Sequence, residues 1–173
     1  MNLYLEELLG LASGDARPDA PHDLSDLPRV RLDAVADSVL ALVDRRCRHA
    51  GVQVCRRWDP AAMEVRADET QIRQVVLNLV LNALDAMPSG GAVTLATSAG
   101  DAGAVRFSVA DTGKGLCVSE GTDVFEPFVT TKVGGVGLGL YVCRRNVQRH
   151  RGRIGYDSSR GGTTFWFELP AAD

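Results

Sequence analysis

The stretch "QIRQVVLNLVLNALDAM", Gln71 to Met87, constrains the fold more than any other part of the chain. At about 100° per residue, Gln71, Gln74, Asn78, Asn82 and Asp85 share one narrow sector of a helical wheel. Apart from Arg73, everything else from Ile72 to Met87 is apolar. A surface helix carries a broad charged face. This one is polar along a single stripe, so most of its circumference has to be covered by other elements. Asp68 is placed to cap its start, and "PSGG" ends it, which predicts a helix over Glu69 to Met87.

The rest of the chain supplies the cover. It has 173 residues, 45% of them hydrophobic, and a formal net charge of -3. That is enough to bury a core in one compact domain. So mild a charge implies no nucleic-acid partner. No run approaches the roughly 18 apolar residues of a membrane helix. The N-terminus also lacks a basic-then-apolar leader. The domain is expected to be cytoplasmic, which leaves open a membrane-anchored parent. Cys47, Cys55, Cys117 and Cys143 are scattered and read as reduced thiols rather than a metal site or disulfides.

Met1 to Ala12 is a short leucine-rich amphipathic piece, and "SGDARPDAPHDLSDLP" reads as a linker. The globular part starts near Arg29, so the division is 1–28 and 29–173. "RVRL" is a candidate strand. Asp33 is placed to cap a helix through about His49. "VQVCRRW" reads as a strand, and a brief extended piece follows Pro60. After the striped helix come strands "AVTLATS" and "AVRFSVAD" around "AGDAG". Thr112 to Gly139 is irregular and glycine-rich. A helix runs from about Leu138 to Arg151, and "RIGYDSS" and "TTFWFELP" form a closing hairpin. This order predicts an α/β two-layer sandwich: one mixed, mainly antiparallel sheet with helices packed on one face.

Several residues sit where chemistry is possible. The stripe amides offer neutral hard oxygens suited to Mg²⁺ or to hydrogen bonding, although a thin solvated strip fits the wheel as well. Val105, Phe107 and Val109 alternate inward, and Asp111 continues that parity at the strand end. A buried carboxylate is costly without donors, and the adjacent "TGKG" turn allows close approach. Together they suit a flat heterocycle with an exocyclic amine, adenine foremost. An Asp that caps its own turn is the plainer alternative. Thr163 shares the inward parity of Phe165, Phe167 and Leu169, as an ordinary strand threonine also would. Gly134, Gly135, Gly137 and Gly139 bracket a helix start, where bare backbone amides form a phosphate cradle. Lys132, Thr130 and Thr131 add charge and donors just upstream. Phe125 and Phe128 read as anchors of a lid to the body or to a partner, or equally as plain packing residues, with no chemical role. Arg144, Arg145, Arg149, Arg151 and Arg153 read as a solvated face.

Taken in order, "QVVLNLVLNALDAM", "DTGKG", "VFEPFVTTK" and "GGVGLGL…GGTTFWFELP" resemble the N, G1, F and G2 boxes of the catalytic, ATP-binding domain of sensor histidine kinases, with the Bergerat fold. The resemblance spans about Arg29 to Pro170. It implies that Asn82 coordinates Mg²⁺ on the ATP phosphates, with Asn78 near the same metal. It implies that Asp111 reads adenine, that Gly113 and Gly115 shape the pocket, and that Thr163 lies close by. Lys132 and the run from Gly135 to Gly139 match the phosphate-side lid and loop. Asn78, Asn82 and Lys132 are the implied catalytic residues. Asp85, Ala86, Leu116, Thr130, Thr131, Val136, Leu138 and Leu140 complete the implied ATP-binding set. In hydrolysing relatives such as DNA gyrase, a water-activating glutamate occupies the Asn78 position. A neutral amide lacks that basicity, which implies a γ-phosphate kept for transfer.

Two departures matter. Many family members carry a basic residue three positions after the Mg²⁺ asparagine, where this chain has Asp85. The phosphoacceptor histidine of a full kinase has no counterpart around His22, His49 or His150. The resemblance implies a module that acts on a separate dimerisation and phosphoacceptor domain and feeds a response-regulator receiver domain. The isolated domain is expected to be a monomer and the parent kinase a homodimer. Residues 1–28 match the tail of the dimerisation domain plus a linker. A nucleotide-sensing module without catalysis, or a serine kinase of the anti-sigma type, are the alternatives.

Overall fold

The computed structural model describes residues 24–116, 118–119, 121–130 and 135–172. The amphipathic piece Met1 to Ala12, and with it His22, Cys117, Thr131, Lys132 and Gly134, lie outside the described residues.

A short ladder opens the fold. β1 (Arg29–Arg31) leads into α1 (Leu32–Ala50), followed by β2 (Val52–Arg57) and β3 (Glu64–Arg66). β1 and β3 pair antiparallel, with Val30 opposite Val65. Asp33 is not the cap of α1. The helix begins at Leu32, one residue after Arg31 in the cap position. Leu32 is fully buried and its N–H donates to the Met63 carbonyl at 2.9 Å, which fixes the earlier start. Asp33 sits in the first turn and accepts from the Arg31 guanidinium at 2.7 and 3.1 Å. Part of the expected linker is also ordered. Leu24–Asp26 forms a 3₁₀ turn, and Arg66 donates to the carbonyls of Ser25 and Leu27.

α2 (Glu69–Ala86) is the striped helix. Asp68 caps it, accepting from the N–H groups of Thr70 and Gln71. Such a cap contributes about 1 kcal/mol. Ile72, Val75, Val76, Leu79, Val80, Ala83 and Leu84 are buried. β4 (Gly91–Ala99) and β5 (Ala104–Asp111) follow, then α3 (Gly139–Arg149) and the hairpin of β6 (Arg153–Ser159) and β7 (Gly162–Pro170). α3 is shorter than the periodicity predicts: Arg151 adopts a left-handed backbone and stops it.

The main sheet runs β2-β4-β5-β7-β6. β2 and β4 are parallel and the other pairs antiparallel. Side chains on one face of the sheet are buried in alternation: Val105, Phe107, Val109 and Asp111 on β5, and Thr163, Phe165, Phe167 and Leu169 on β7. Phe107 stacks on Phe167 with ring centres 5.3 Å apart. The three helices cover this face, giving the two-layer sandwich expected from the sequence. On the opposite face the Arg106 guanidinium lies 4.3 Å over the Trp166 ring.

Glu168 is buried on that opposite face, at 2% exposure. It accepts from Arg106 at 2.6 Å and from Arg153 at 2.6 Å. Burial works against its ionisation, but the two guanidinium groups outweigh it and hold the carboxyl below its usual value.

Candidate functional site

The stripe on α2 divides into two functions. Its first half faces α3, where the buried Asn146 amide donates to Gln74 Oε1 at 3.1 Å. Its second half borders an open cavity of about 390 Å³. Asn78, Asn82, Asp85 and Ala86 form that wall. The Asn78 amide donates to the Gly139 carbonyl at 3.3 Å, joining α2 to the first turn of α3. This bond uses the Asn78 nitrogen and leaves its carbonyl oxygen for other partners.

The far wall is the end of β5. Asp111 Oδ1 accepts from the Gly113 N–H at 2.8 Å and from the Thr163 N–H at 3.3 Å. Burial pushes the Asp111 carboxyl above its ordinary value, and these two N–H groups oppose that shift. Thr163 Oγ1 lies 3.1 Å from Ser158 Oγ, which accepts from the Leu116 N–H at 2.8 Å. The inward acid, the turn after it and the last hairpin are therefore one hydrogen-bonded unit. Gly115 belongs to it by necessity. Its φ is +74°, and a Cβ there would meet the Ser159 carbonyl oxygen at 2.0 Å.

The third wall is the segment leading into α3. Gly135, Val136, Gly137, Leu138, Gly139 and Leu140 border the cavity, as does Thr130. Gly137 also has φ +74°, and a Cβ would lie 2.6 Å from the Phe128 carbonyl carbon. The Phe128 N–H donates to the Gly137 carbonyl at 3.0 Å, so the phenylalanine segment rests directly on the glycine run. Phe125 anchors that segment, buried edge-on against Phe165 at 6.3 Å. Arg144 of α3 holds it from outside, donating to Asp123 at 2.5 Å and Glu126 at 2.6 Å. Phe128 does not anchor it to the body: it is 72% exposed.

The expected residues thus meet in one place, with differences. Asn82, Asp111 and Gly137 border the same cavity, together with Gly115, Leu116 and Thr163. Gly113 does not border it among the described residues; its N–H holds Asp111 from behind. Thr131 and Lys132 lie outside the described residues. Asp85 borders the cavity while paired to Arg46 of α1. The arginine cluster is not one face. Arg144 turns to Asp123 and Glu126, while Arg153 turns to Glu168 and Asp101.

Sequence reasoning missed Leu81, Val118, Val124, Val129 and Phe165 as apolar wall residues, and Lys114 as a bordering cation. Two of these had a signal. Leu81 falls at i+3 from Asn78, on the stripe's edge, and Phe165 shares the parity of Thr163. The valines come from irregular chain, which carries no periodicity.

The donors suit a magnesium nucleotide. Among the described residues no cluster of three or more His, Cys, Asp or Glu side chains could hold a metal alone. Two neutral amides at a cavity edge fit Mg²⁺ instead, because that ion is held through few protein oxygens plus phosphates and water.

The sheet order and a cavity framed by α2, the end of β5 and the start of α3 define a class, the ATP-binding Bergerat-fold domains. The chain belongs to the histidine kinase-, DNA gyrase B-, and HSP90-like ATPase family, whose profile matches residues 67–173. Within it the resemblance is to sensor kinases. Sensor histidine kinase ZraS of Escherichia coli (strain K12) is 36% identical over 171 residues, covering 98% of this chain and 35% of that protein. The chain spans about a third of the length of such curated relatives. The catalytic domain of histidine kinase ThkA, in a nucleotide-free form, superposes with a TM-score of 0.74 at 32% identity, covering 84% of this chain and 96% of that one. The same kinase is known in complex with response regulator protein TrrA, at a TM-score of 0.73 and 26% identity, covering 98% of this chain and 48% of that one. Full-length ShkA in complex with AMPPNP matches with a TM-score of 0.74 at 36% identity, covering 88% of this chain and 32% of that one. Among the described residues no helix is long and apolar enough to cross a membrane.

Proposed function

We propose that this chain binds Mg·ATP in the cavity between α2, β5 and α3, and passes the γ-phosphate to a histidine on a separate phosphoacceptor domain. A response-regulator receiver domain would then take the phosphoryl group onward. Residues 1–28 are read as the end of the dimerisation domain and a linker, and 29–173 as the catalytic domain.

The observation that carries this reading is the convergence of Asn78, Asn82, Asp111 and Gly137 on one cavity. Asp111 orients the base. Its Oδ1 is held by two N–H groups, and Oδ2 remains as acceptor for an exocyclic amine. Leu116, Val124 and Phe165 give that end a dry lining for a flat ring. The glycine run before α3 offers backbone N–H groups to phosphate at a helix start. Asn82 and Asn78 would hold Mg²⁺, which when bound neutralises charge on the phosphate tail. Asn78 carries no basicity with which to activate water, so the γ-phosphate waits for an external nucleophile. Phosphoryl transfer then depends on positioning and charge neutralisation.

The test supplies a histidine phosphoacceptor domain in trans with γ-labelled ATP. Acid-labile label on the acceptor is the expected result. Normal ATP binding with no label on the acceptor would sink the kinase reading in favour of a nucleotide sensor. Acid-stable label would move it to a serine kinase.

A further inference from the structure

Lys114 is the one basic side chain among the described residues that border the cavity. Among those residues no ion pair or hydrogen bond occupies its ammonium. It is not the partner of Asp111, whose Oδ1 is held by the N–H groups of Gly113 and Thr163. The backbone on either side of the lysine is pinned. The Gly113 N–H donates to Asp111, and Gly115 packs so closely on Ser159 that a Cβ would meet its carbonyl oxygen at 2.0 Å. The Leu116 N–H then donates to Ser158 Oγ at 2.8 Å. Lys114 therefore projects from the Asp111 end of the cavity, not from the glycine run before α3. Its side chain is exposed and still borders the hollow, which puts it at the mouth. Leu116, Val124 and Phe165 line the inside of the same end. A flat ring with its edge on Asp111 and one face on that apolar lining turns its other face to the mouth. The face of a π-system attracts a cation.

We infer that Lys114 is a binding residue for the nucleotide base, its ammonium lying over the ring face that the apolar lining leaves open. This rests on the ATP reading of the cavity. The two charged groups of the turn then divide the work: Asp111 takes the edge of the base and Lys114 covers its face. The contact belongs to the base alone, so it serves adenosine as well as the triphosphate.

The test is the affinity of the wild type, Lys114→Ala and Lys114→Arg for Mg·AMPPNP, by titration calorimetry, and for adenosine, by nuclear magnetic resonance titration. Lys114→Ala is expected to weaken both ligands by the same factor, about two- to fivefold, the usual worth of an exposed cation over a ring. Lys114→Arg is expected to keep the wild-type affinity for both, because a guanidinium covers a ring face equally well. Unchanged affinity of Lys114→Ala for both ligands overturns the inference and marks a solvated lysine, while the ATP site stands. A loss confined to AMPPNP overturns it too, since the cation would then serve the phosphate tail. So does a loss that Lys114→Arg does not restore, because charge would not be its cause. A wild type that binds AMPPNP but not adenosine also overturns it, as the base end would have no affinity to lose. A wild type that binds neither ligand overturns the ATP reading and this inference with it.

Discussion

The Thr163 N–H donates to Asp111 Oδ1 across 3.3 Å, so the start of the last strand fixes the acid at the end of β5. Gly113 adds a second N–H to the same oxygen. The acid is held in place by backbone alone, and its side chain can be changed without dismantling its support.

Asp111→Asn is therefore expected to abolish ATP binding, a fall of about a hundredfold or more, while the domain stays folded. Burial raises the Asp111 carboxyl above the ordinary value of 3.8. The folded state thus holds its proton longer than the unfolded chain. Its contribution to stability is complete below the unfolded value and is lost as pH rises through the folded value. Removing the charge at pH 7 should leave thermal stability equal or slightly higher. Calorimetric titration and thermal unfolding at neutral pH check the two halves together.

Asn82→Asp places a carboxylate where the phosphate tail is proposed to lie. ATP affinity is expected to drop by about a hundredfold, with circular dichroism and melting temperature unchanged. Unaltered affinity by calorimetry would count against the assigned phosphate end.

Glu168 gives a stability prediction far from the cavity. Its carboxyl is held below the ordinary 4.5 because the Arg106 and Arg153 bonds exceed the burial penalty. A lowered acid stabilises the fold above its unfolded value and loses that contribution as pH falls through the folded value. Glu168→Gln is expected to cost about 1–2 kcal/mol at pH 7, discounted because both guanidinium groups reach solvent. The gap to wild type should narrow as pH falls below the ordinary 4.5 and through the lowered folded value, as urea unfolding at neutral and acid pH would reveal.

Arg144→Ala removes both outer bonds to the phenylalanine segment at Asp123 and Glu126. Exposed pairs are worth at most about 1 kcal/mol, so global unfolding should barely move. Local opening is what changes. Limited proteolysis between Asp123 and Val129 is expected to speed up severalfold, and added AMPPNP should restore protection. Equal cleavage rates would show that Phe125 and the Phe128–Gly137 bond hold the segment without Arg144.

Much of the architecture could be read from pattern. The stripe on α2 and the inward parity of Asp111 and Thr163 are periodic signals, and periodicity survives folding because burial enforces it. The Asp68 cap was legible for the same local reason. Asp33 was not, since the start of α1 is decided by a distant bond from Leu32 to Met63. The division of the stripe between Asn146 and the cavity was also invisible, because it depends on where α3 docks. Arg46 meeting Asp85 is a contact between two helices that no local spacing announces. Val118, Val124 and Val129 sit in irregular chain, whose course is set by the glycines and by Phe125 rather than by any repeat.

His150 carries a consequence of a different kind. Fully buried, it donates from Nδ1 to the Asn146 carbonyl at 2.7 Å and accepts at Nε2 from the Asp68 N–H at 3.0 Å. One uncharged ring thereby rivets the tail of α3 to the head of α2. A second proton on that ring would remove the acceptor that Asp68 needs. The two helices that frame the hollow are coupled at this joint, so breaking it would loosen them as a unit, and the hollow would lose opposite sides together instead of fraying from one edge.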